Sequence, residues 1–355
     1  MGIRMKMKEL RIGDIVAKLP IIQGGMGVGI SRCNLAGAVA KEGGIGIIST
    51  AQIGYDEEDF EKNPIVANLR AIHKHIKKAK EIACGGIVGV NIMVATKQYE
   101  KYVKTAAESG ADIIISGAGL PITLPELVKG FKTKIAPIVS SQKAASVILK
   151  MWDKKYHTTA DLIVIEGPLA GGHLGFSPDQ LDHISELNYD EEIKKIIEYV
   201  KEFEVKYNKK IPVVVAGGIT TKEDIKHYLS LGADGVQIAT RFVPTVECDA
   251  SMEYKMAYVN SKEEDILIVK SPVGMPGRAI KNPFIEQTHI GRIPVNKCYN
   301  CLEHCNPSEI PYCITKALIN AVKGDLDHGL IFCGARAFEQ NKITTVKEVI
   351  EELVF

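Results

Sequence analysis

Eight short apolar runs rich in β-branched residues recur along the first 240 positions of this chain, each closing on or near Gly, Ser, Thr or Asn. They are PIIQGG (20–25), IGIIST (45–50), IVGVNIMVA (87–95), DIIISG (112–117), KIAPIVS (134–140), DLIVIEG (161–167), IPVVVAGG (211–218) and GVQIAT (235–240). Stretches with helical spacing lie between them, among them SRCNLAGAVAKEG, KQYEKYVKTAAESG, SQKAASVILKMW and TKEDIKHYLSLG, and several end in the Gly favoured just past a helix. Strands that are apolar on both faces and alternate with helices build a parallel sheet. Eight such repeats predict an α/β fold, a TIM (β/α)8 barrel, whose ligand site lies at the C-terminal ends of the strands. A doubly wound sheet is the alternative topology.

The 355 residues exceed what eight repeats need, and the rhythm stops after residue 260. The expected division is a barrel over residues 1–260, followed by a C-terminal extension or small lid lobe over 261–355 that contains SPVGMPGRAIKNPF and a cysteine-rich stretch. Two connections, 51–86 and 168–190, are long for barrel loops, and loops of that length are often binding loops or lids.

Lys and Arg number 44 against 43 Asp and Glu, so the overall charge gives no reason to expect nucleic acid or an anionic membrane as partner. The start, MGIRMKMKELRIGD, carries basic residues with no apolar stretch behind them, and no run approaches the roughly 18 apolar residues of a membrane span. Five of the eight cysteines fall within residues 298–333, unlike a small secreted disulfide scaffold. A reduced, cytoplasmic setting is the expectation, with a small-molecule substrate and a homo-oligomer compatible with it.

The seventh and eighth units carry the pattern of a phosphate site. Gly217 and Gly218 end one strand, Thr220 and Glu223 have capping-box spacing for the helix that follows, and Ala239 and Thr240 end the last strand with small residues. In barrels, these two loops frequently cradle a phosphate against a helix N-terminus. Two ordinary tight turns would read the same way. The first strand runs into Gly24-Gly25-Met26, whose spacing does not fit a dinucleotide fingerprint and suits either backbone packing along a flat ring or a plain glycine loop.

Asn91 and Gln237 stand inside apolar strands, where a side-chain amide is costly unless hydrogen-bonded. A heteroaromatic ligand or a neighbouring backbone group would satisfy either. Glu166, at the end of the sixth strand, reads as a ligand contact or an ion-pair partner. His173 follows Gly171-Gly172 at that strand's end, whereas His73, His75 and His227 are expected on charged helical faces. An imidazole there can move protons near neutral pH, which makes His173 the catalytic candidate over a backbone-bonded loop histidine.

Cys298, Cys301, Cys305 and Cys313 are spaced C-x2-C-x3-C-x7-C, with Cys333 further on. Four thiolates suit an iron–sulfur cluster or structural zinc, and buried, redox-silent thiols are the alternative. Cys33, Cys84 and Cys248 are expected in the core.

Taken in order, Gln23-Gly24-Gly25-Met26, Val90-Asn91, Pro137-Ile138-Val139-Ser140, Glu166-Gly167, Gly171-Gly172-His173, Ala216-Gly217-Gly218-Ile219, Gly232-Ala233-Asp234-Gly235-Val236-Gln237, Ala239-Thr240-Arg241-Phe242 and Gly277-Arg278-Ala279-Ile280-Lys281-Asn282 resemble the nitronate monooxygenase family, formerly 2-nitropropane dioxygenases, and the related FMN-dependent enoyl-ACP reductases. The resemblance implies a barrel holding FMN noncovalently. Gly24, Gly25, Met26 and Asn91 would meet the isoalloxazine ring, with Gly171 and Gly172 nearby. Gly217, Gly218, Gln237, Ala239 and Thr240 would hold the phosphate, with Ser140 a weaker carry-over. His173 matches the family's catalytic histidine.

The activity implied is oxidation of alkyl nitronates with O2 to a carbonyl compound and nitrite. The alternatives are an NAD(P)H-dependent enoyl thioester reductase, with an acyl carrier protein as partner, and a non-catalytic flavin or cluster module relaying electrons to another protein. The His173–Pro178 stretch, with the loop to residue 190, and the cysteine cluster depart from the family's core and leave the substrate open.

Overall fold

In a computed structural model that describes residues 7–354, the chain opens on a hairpin of β1 (Leu10–Ile12) and β2 (Ile15–Ala17). The basic start of the chain, residues 1–6, lies outside the described residues. Each of the eight apolar runs then supplies one barrel strand. These are β3 (Ile21–Gln23), β4 (Ile45–Ser49), β5 (Ile87–Met93), β6 (Ile113–Gly117), β7 (Lys134–Val139) and β8 (Ile163–Glu166). After the two-residue β9 (Gly172–His173), which lies outside the barrel, come β10 (Val213–Ala216) and β11 (Gly235–Ile238).

All neighbours pair in parallel, and β11 closes onto β3, with Val236 opposite Ile21. This is the TIM barrel that the repeat count predicts. The interior is filled by Ile22, Ile45, Ile47, Ile113, Ile115, Val164 and Val214, and Leu10, Ile12 and Ala17 of the opening hairpin join that cluster. The hairpin was not anticipated, because its two strands are only three residues each.

Residues 51–86 are not one long loop. Helix Pro64–Ala83 occupies most of them, entered through a proline in its first turn, and it buries Ala67, Ala71, Ile72, Ile76 and Ala79 at helical spacing. His75 is not on a solvated face either. It is buried, and its Nε2 accepts a 3.0 Å hydrogen bond from Nε of Arg32. The capping box after β10 is one residue later than expected, with Thr221 at the N-cap and Asp224 returning the bond.

Beyond the barrel, β12 (Ile266–Lys270) and β13 (Pro276–Ile280) pair antiparallel, and β13 pairs antiparallel with β9. Part of the segment read as Pro/Gly-rich connection is thus a strand, with Pro276 at its first position, where the missing N–H is tolerated. One buried apolar cluster runs from Ile21, Leu35, Val236 and Ile238 to Val322, Val346, Val349 and Leu353. The chain's end therefore shares a core with the barrel. No helix among the described residues is long and apolar enough to cross a membrane.

Candidate active site

A cavity of about 230 Å³ opens at the C-terminal ends of the strands. Gly24, Gly25, Met26, Asn91, Glu166, Gly171, Gly172, His173, Gly217, Gly218, Gln237, Ala239 and Thr240 all line it. The barrel collects them because each sits at or just past the end of a parallel strand, and parallel strands end on one face. Ser140 is the exception: it begins the loop after β7, its Oγ lies 3.4 Å from the Gly175 carbonyl, and it is absent from the lining.

Close approach of backbone shapes the floor. A Cβ on Gly25 would stand 2.5 Å from Cβ of Asn91, so only glycine lets this loop pass over the strand end. The Asn91 and Gln237 side-chain amides have no hydrogen-bond partner among the described residues and face the cavity instead of a neighbouring loop. By contrast, the amide of Gln23 is satisfied internally, exchanging bonds with Ile47 at 3.2 and 3.1 Å. At the other end of the cavity, the backbone N–H groups of Gly218 and Thr240 find no acceptor among the described residues.

Glu166 ends β8, and its carboxyl has no ion-pair partner among the described residues. Burial pushes it up to about 7. Its backbone carbonyl is fixed by Tyr189, whose hydroxyl lies 3.0 Å away and 2.9 Å from the Ser140 carbonyl.

His173 is held by three elements distant in sequence. Its Nε2 is 2.7 Å from Oγ of Ser271, just past β12. The Phe332 ring meets the imidazole edge to face, with centroids 4.9 Å apart, and the Phe332 carbonyl accepts from the hydroxyl of Tyr258 at 2.6 Å. Buried Arg278 of β13 donates to the carbonyls of Pro168 and Ala170, which fixes the loop leading into His173. Desolvation lowers His173 to about 4, so the imidazole is neutral across the physiological range. Nδ1 has no partner among the described residues.

Sequence reading missed the segment Phe332-Cys333-Gly334-Ala335-Arg336, which forms one wall of the cavity. A signal was present, since LIFCGAR repeats the apolar-run-then-glycine pattern of the barrel strands. A Cβ on Gly171 would come within 2.5 Å of the Cys333 carbonyl group, so the two glycine-bearing segments touch backbone to backbone. Arg336 is engaged by Asp224 at 2.7 Å and by Glu339 at 2.6 Å, and it donates to the Gly218 carbonyl at 2.9 Å.

The cysteines divide differently from expectation. Cys33 and Cys248 are buried, but Cys84 is exposed at a helix end. Cys298, Cys301, Cys305 and Cys313 are free thiols, and among the described residues no group of three or more His, Cys, Asp or Glu side chains is arranged to hold a metal ion. Neither the iron–sulfur nor the structural-zinc expectation finds support in this arrangement.

The chain is similar to several known proteins. The chain is 26% identical over 309 residues to a probable nitronate monooxygenase of Staphylococcus saprophyticus, covering 80% of this chain and 81% of that one. A Staphylococcus aureus protein of the same description is 25% identical over 333 residues, covering 87% and 86%. Among solved structures, FabK from Thermotoga maritima superposes with a TM-score of 0.71 at 26% identity, over 94% of this chain and 91% of that one. A nitroalkane oxidase from Streptomyces ansochromogenes has the same fold, with a TM-score of 0.71 at 19% identity over 95% of each chain. The model of the nitronate monooxygenase family matches residues 8–355, and the chain therefore belongs to that family of flavin-dependent oxidoreductases and is an enzyme rather than a module without turnover.

Proposed function

We propose that the protein uses FMN to oxidise alkyl nitronates with O2, yielding a carbonyl compound and nitrite. The observation that carries this reading is one cavity faced by the unpartnered amides of Asn91 and Gln237 and by two unpaired loop N–H groups. A flat heteroaromatic ring with a phosphate tail satisfies both ends of such a cavity. When bound, FMN supplies the electron-accepting, O2-reactive ring.

The chain's own residues bind and orient. Gly24, Gly25 and Met26 offer backbone to the ring, and Asn91 offers an amide. Gly217, Gly218, Gln237, Ala239 and Thr240 hold the tail. Gly171 and Gly172 keep the wall beside the ring thin, and Glu166 contacts the cofactor or substrate from the end of β8. Ser140, outside the lining, has no place in this reading.

His173 handles the proton. With Nε2–H donating to Oγ of Ser271, the lone pair of Nδ1 is free to take a proton from a neutral nitroalkane. The same atom, once protonated, hydrogen-bonds a nitronate oxygen. A neutral imidazole accepts a proton more readily than it delivers one, which favours base action on a nitroalkane over protonation of a reduced enoyl carbon.

The second reading is NAD(P)H-dependent reduction of an enoyl thioester. The similarity to FabK, an enoyl-ACP reductase, favours it. Steady-state turnover by FMN-loaded protein separates the two. Nitrite released from an alkyl nitronate in air is expected, whereas turnover of NAD(P)H with an enoyl thioester, and none of nitronate, would overturn the first assignment.

A further inference from the structure

The C-terminal segment that walls the cavity meets it where the loops after β10 and β11 leave N–H groups unpaired. Gly217 and Gly218 hold φ at +106° and +72°, left-handed conformations open to glycine, in which successive N–H groups can turn to one concave side. Guanidinium groups take the carbonyls of this turn: Arg336 donates to that of Gly218 at 2.9 Å and Arg241 to that of Thr220 at 2.6 Å. The N–H groups of Gly218 and Thr240 have no acceptor among the described residues, and neither does the Thr240 hydroxyl have a partner there.

Gly334 brings a third side to this end of the cavity. A Cβ there would stand 2.5 Å from Oγ1 of Thr240, so glycine lets the segment pack against the end of β11. The N–H groups on either side are spent, Cys333 donating to the Arg278 carbonyl at 3.0 Å and Ala335 to that of Leu169 at 3.1 Å, whereas the Gly334 N–H has no acceptor among the described residues. Two residues on, the Arg336 guanidinium is fixed but not used up. Nη1 serves the Gly218 carbonyl and, at 2.7 Å, the Asp224 carboxylate, while Nε serves Glu339 at 2.6 Å. Nη2 has no partner among the described residues, and Arg336 lines the cavity. The Asp224 carboxylate in turn accepts from the Thr220 and Thr221 N–H groups at 2.9 and 2.8 Å, so the loop after β10 and the C-terminal segment share one ion-paired joint.

We propose that Gly334–Arg336 completes a cradle for a phosphate monoester dianion, with the Gly334 N–H and Nη2 of Arg336 joining the donors of Gly218 and Thr240. A planar guanidinium held by carboxylates at some of its N–H groups presents the rest in a fixed direction, as charge-assisted donors to an anion. Backbone N–H groups from three separate segments then surround the oxygens that the guanidinium neutralises, an arrangement that recognises the phosphate and nothing of the group it is attached to. The identity of the ligand rests on the FMN reading, while the donors themselves require only a phosphate.

The test titrates the full chain, freed of flavin, with FMN and with riboflavin, which lacks the phosphate, and follows inorganic phosphate alone by thermal shift. Arg336→Met is expected to weaken FMN roughly 10- to 100-fold, the loss of one charge-assisted contact, and riboflavin less than about twofold. That substitution also leaves the carboxylates of Asp224 and Glu339 uncompensated, so it is combined with Asp224→Asn and Glu339→Gln. The weakening of FMN is expected to persist in this triple variant, which carries the comparison alone should the single variant fail to fold. Equal loss of FMN and riboflavin, no loss of either, or FMN affinity restored in the triple variant overturns the proposal. Phosphate that raises the melting temperature of the parent and not of the variants, with neither flavin bound, keeps the cradle and sinks the FMN reading. A parent that responds to neither FMN nor phosphate sinks both.

Discussion

Nε2 of His173 and Oγ of Ser271 lie 2.7 Å apart, joining the loop after the sixth barrel strand to the end of an antiparallel strand 98 residues later. Ser271 also accepts from the Val273 N–H at 3.4 Å, which leaves its oxygen oriented toward the imidazole. The pair decides which ring nitrogen is free.

Ser271→Ala therefore acts on rate rather than on folding. A neutral hydrogen bond contributes about 1 kcal/mol, so kcat with a neutral nitroalkane falls roughly 5- to 10-fold. His173→Ala falls further, by on the order of 10² to 10⁴, with FMN retained. Equal rates for Ser271→Ala and the parent would show that the serine does not set the tautomer.

His173 is not expected to supply an acid limb of activity near neutral pH. The imidazole is already lowered to about 4, whereas Glu166 is raised to about 7. A limb near pH 7 in kcat/KM, lost in Glu166→Gln, is expected from steady-state rates between pH 5 and 9. A limb that persists in Glu166→Gln assigns it to another group.

The same two groups act oppositely on stability. Glu166, raised from 4.5 to about 7, contributes stability that is full below about 4.5 and lost as pH rises through about 7. His173, lowered from 6.5 to about 4, contributes stability that is full above 6.5 and lost as pH falls through about 4. Glu166→Gln in FMN-free protein should gain more from pH 5 to pH 8 relative to the parent, by on the order of 2–3 kcal/mol in urea unfolding. A gain that does not change with pH would show the carboxyl to be solvated.

Gly171→Ala forces the loop away from Cys333, whose carbonyl group would stand 2.5 Å from the new Cβ. The cavity wall has to move, and it is backbone that must give. FMN affinity is expected to drop at least tenfold in fluorescence titration, with the melting temperature also lowered.

Trp152, on helix Gln142–Tyr156, is wholly buried in the layer between barrel strands and helices, and its indole N–H donates to the Pro121 carbonyl at 3.0 Å. Trp152→Ala empties that site and strands the carbonyl, a loss of about 3–5 kcal/mol in chemical denaturation. FMN binding by the protein that remains folded should be unchanged, since residue 152 lies away from the cavity.

The barrel was legible because its cause is local. A run such as VVVA at 213–216 is buried on both faces wherever it pairs, so its composition announces a parallel strand before any partner is known. Strand ends share one face of a barrel, so Asn91, Glu166, His173 and Gln237 could be assigned to one site without a single contact being known. Where the local signal is short or the partner distant, reading fails: the three-residue strands of the opening hairpin were missed, and His75, expected on a solvated helical face, is buried against Arg32.

What the sequence alone determined was the repeat, the fold class and the strand-end candidates. Only the tertiary structure brought Ser271, Phe332 and Arg278 to His173, set Gly171 against Cys333 and left Ser140 outside the cavity. Those contacts depend on β13 pairing with β9, with Gly277 opposite His173. Pairing between segments a hundred residues apart is chosen by the register of two edges and the volume left between them, and neither quantity is written in the composition of either segment.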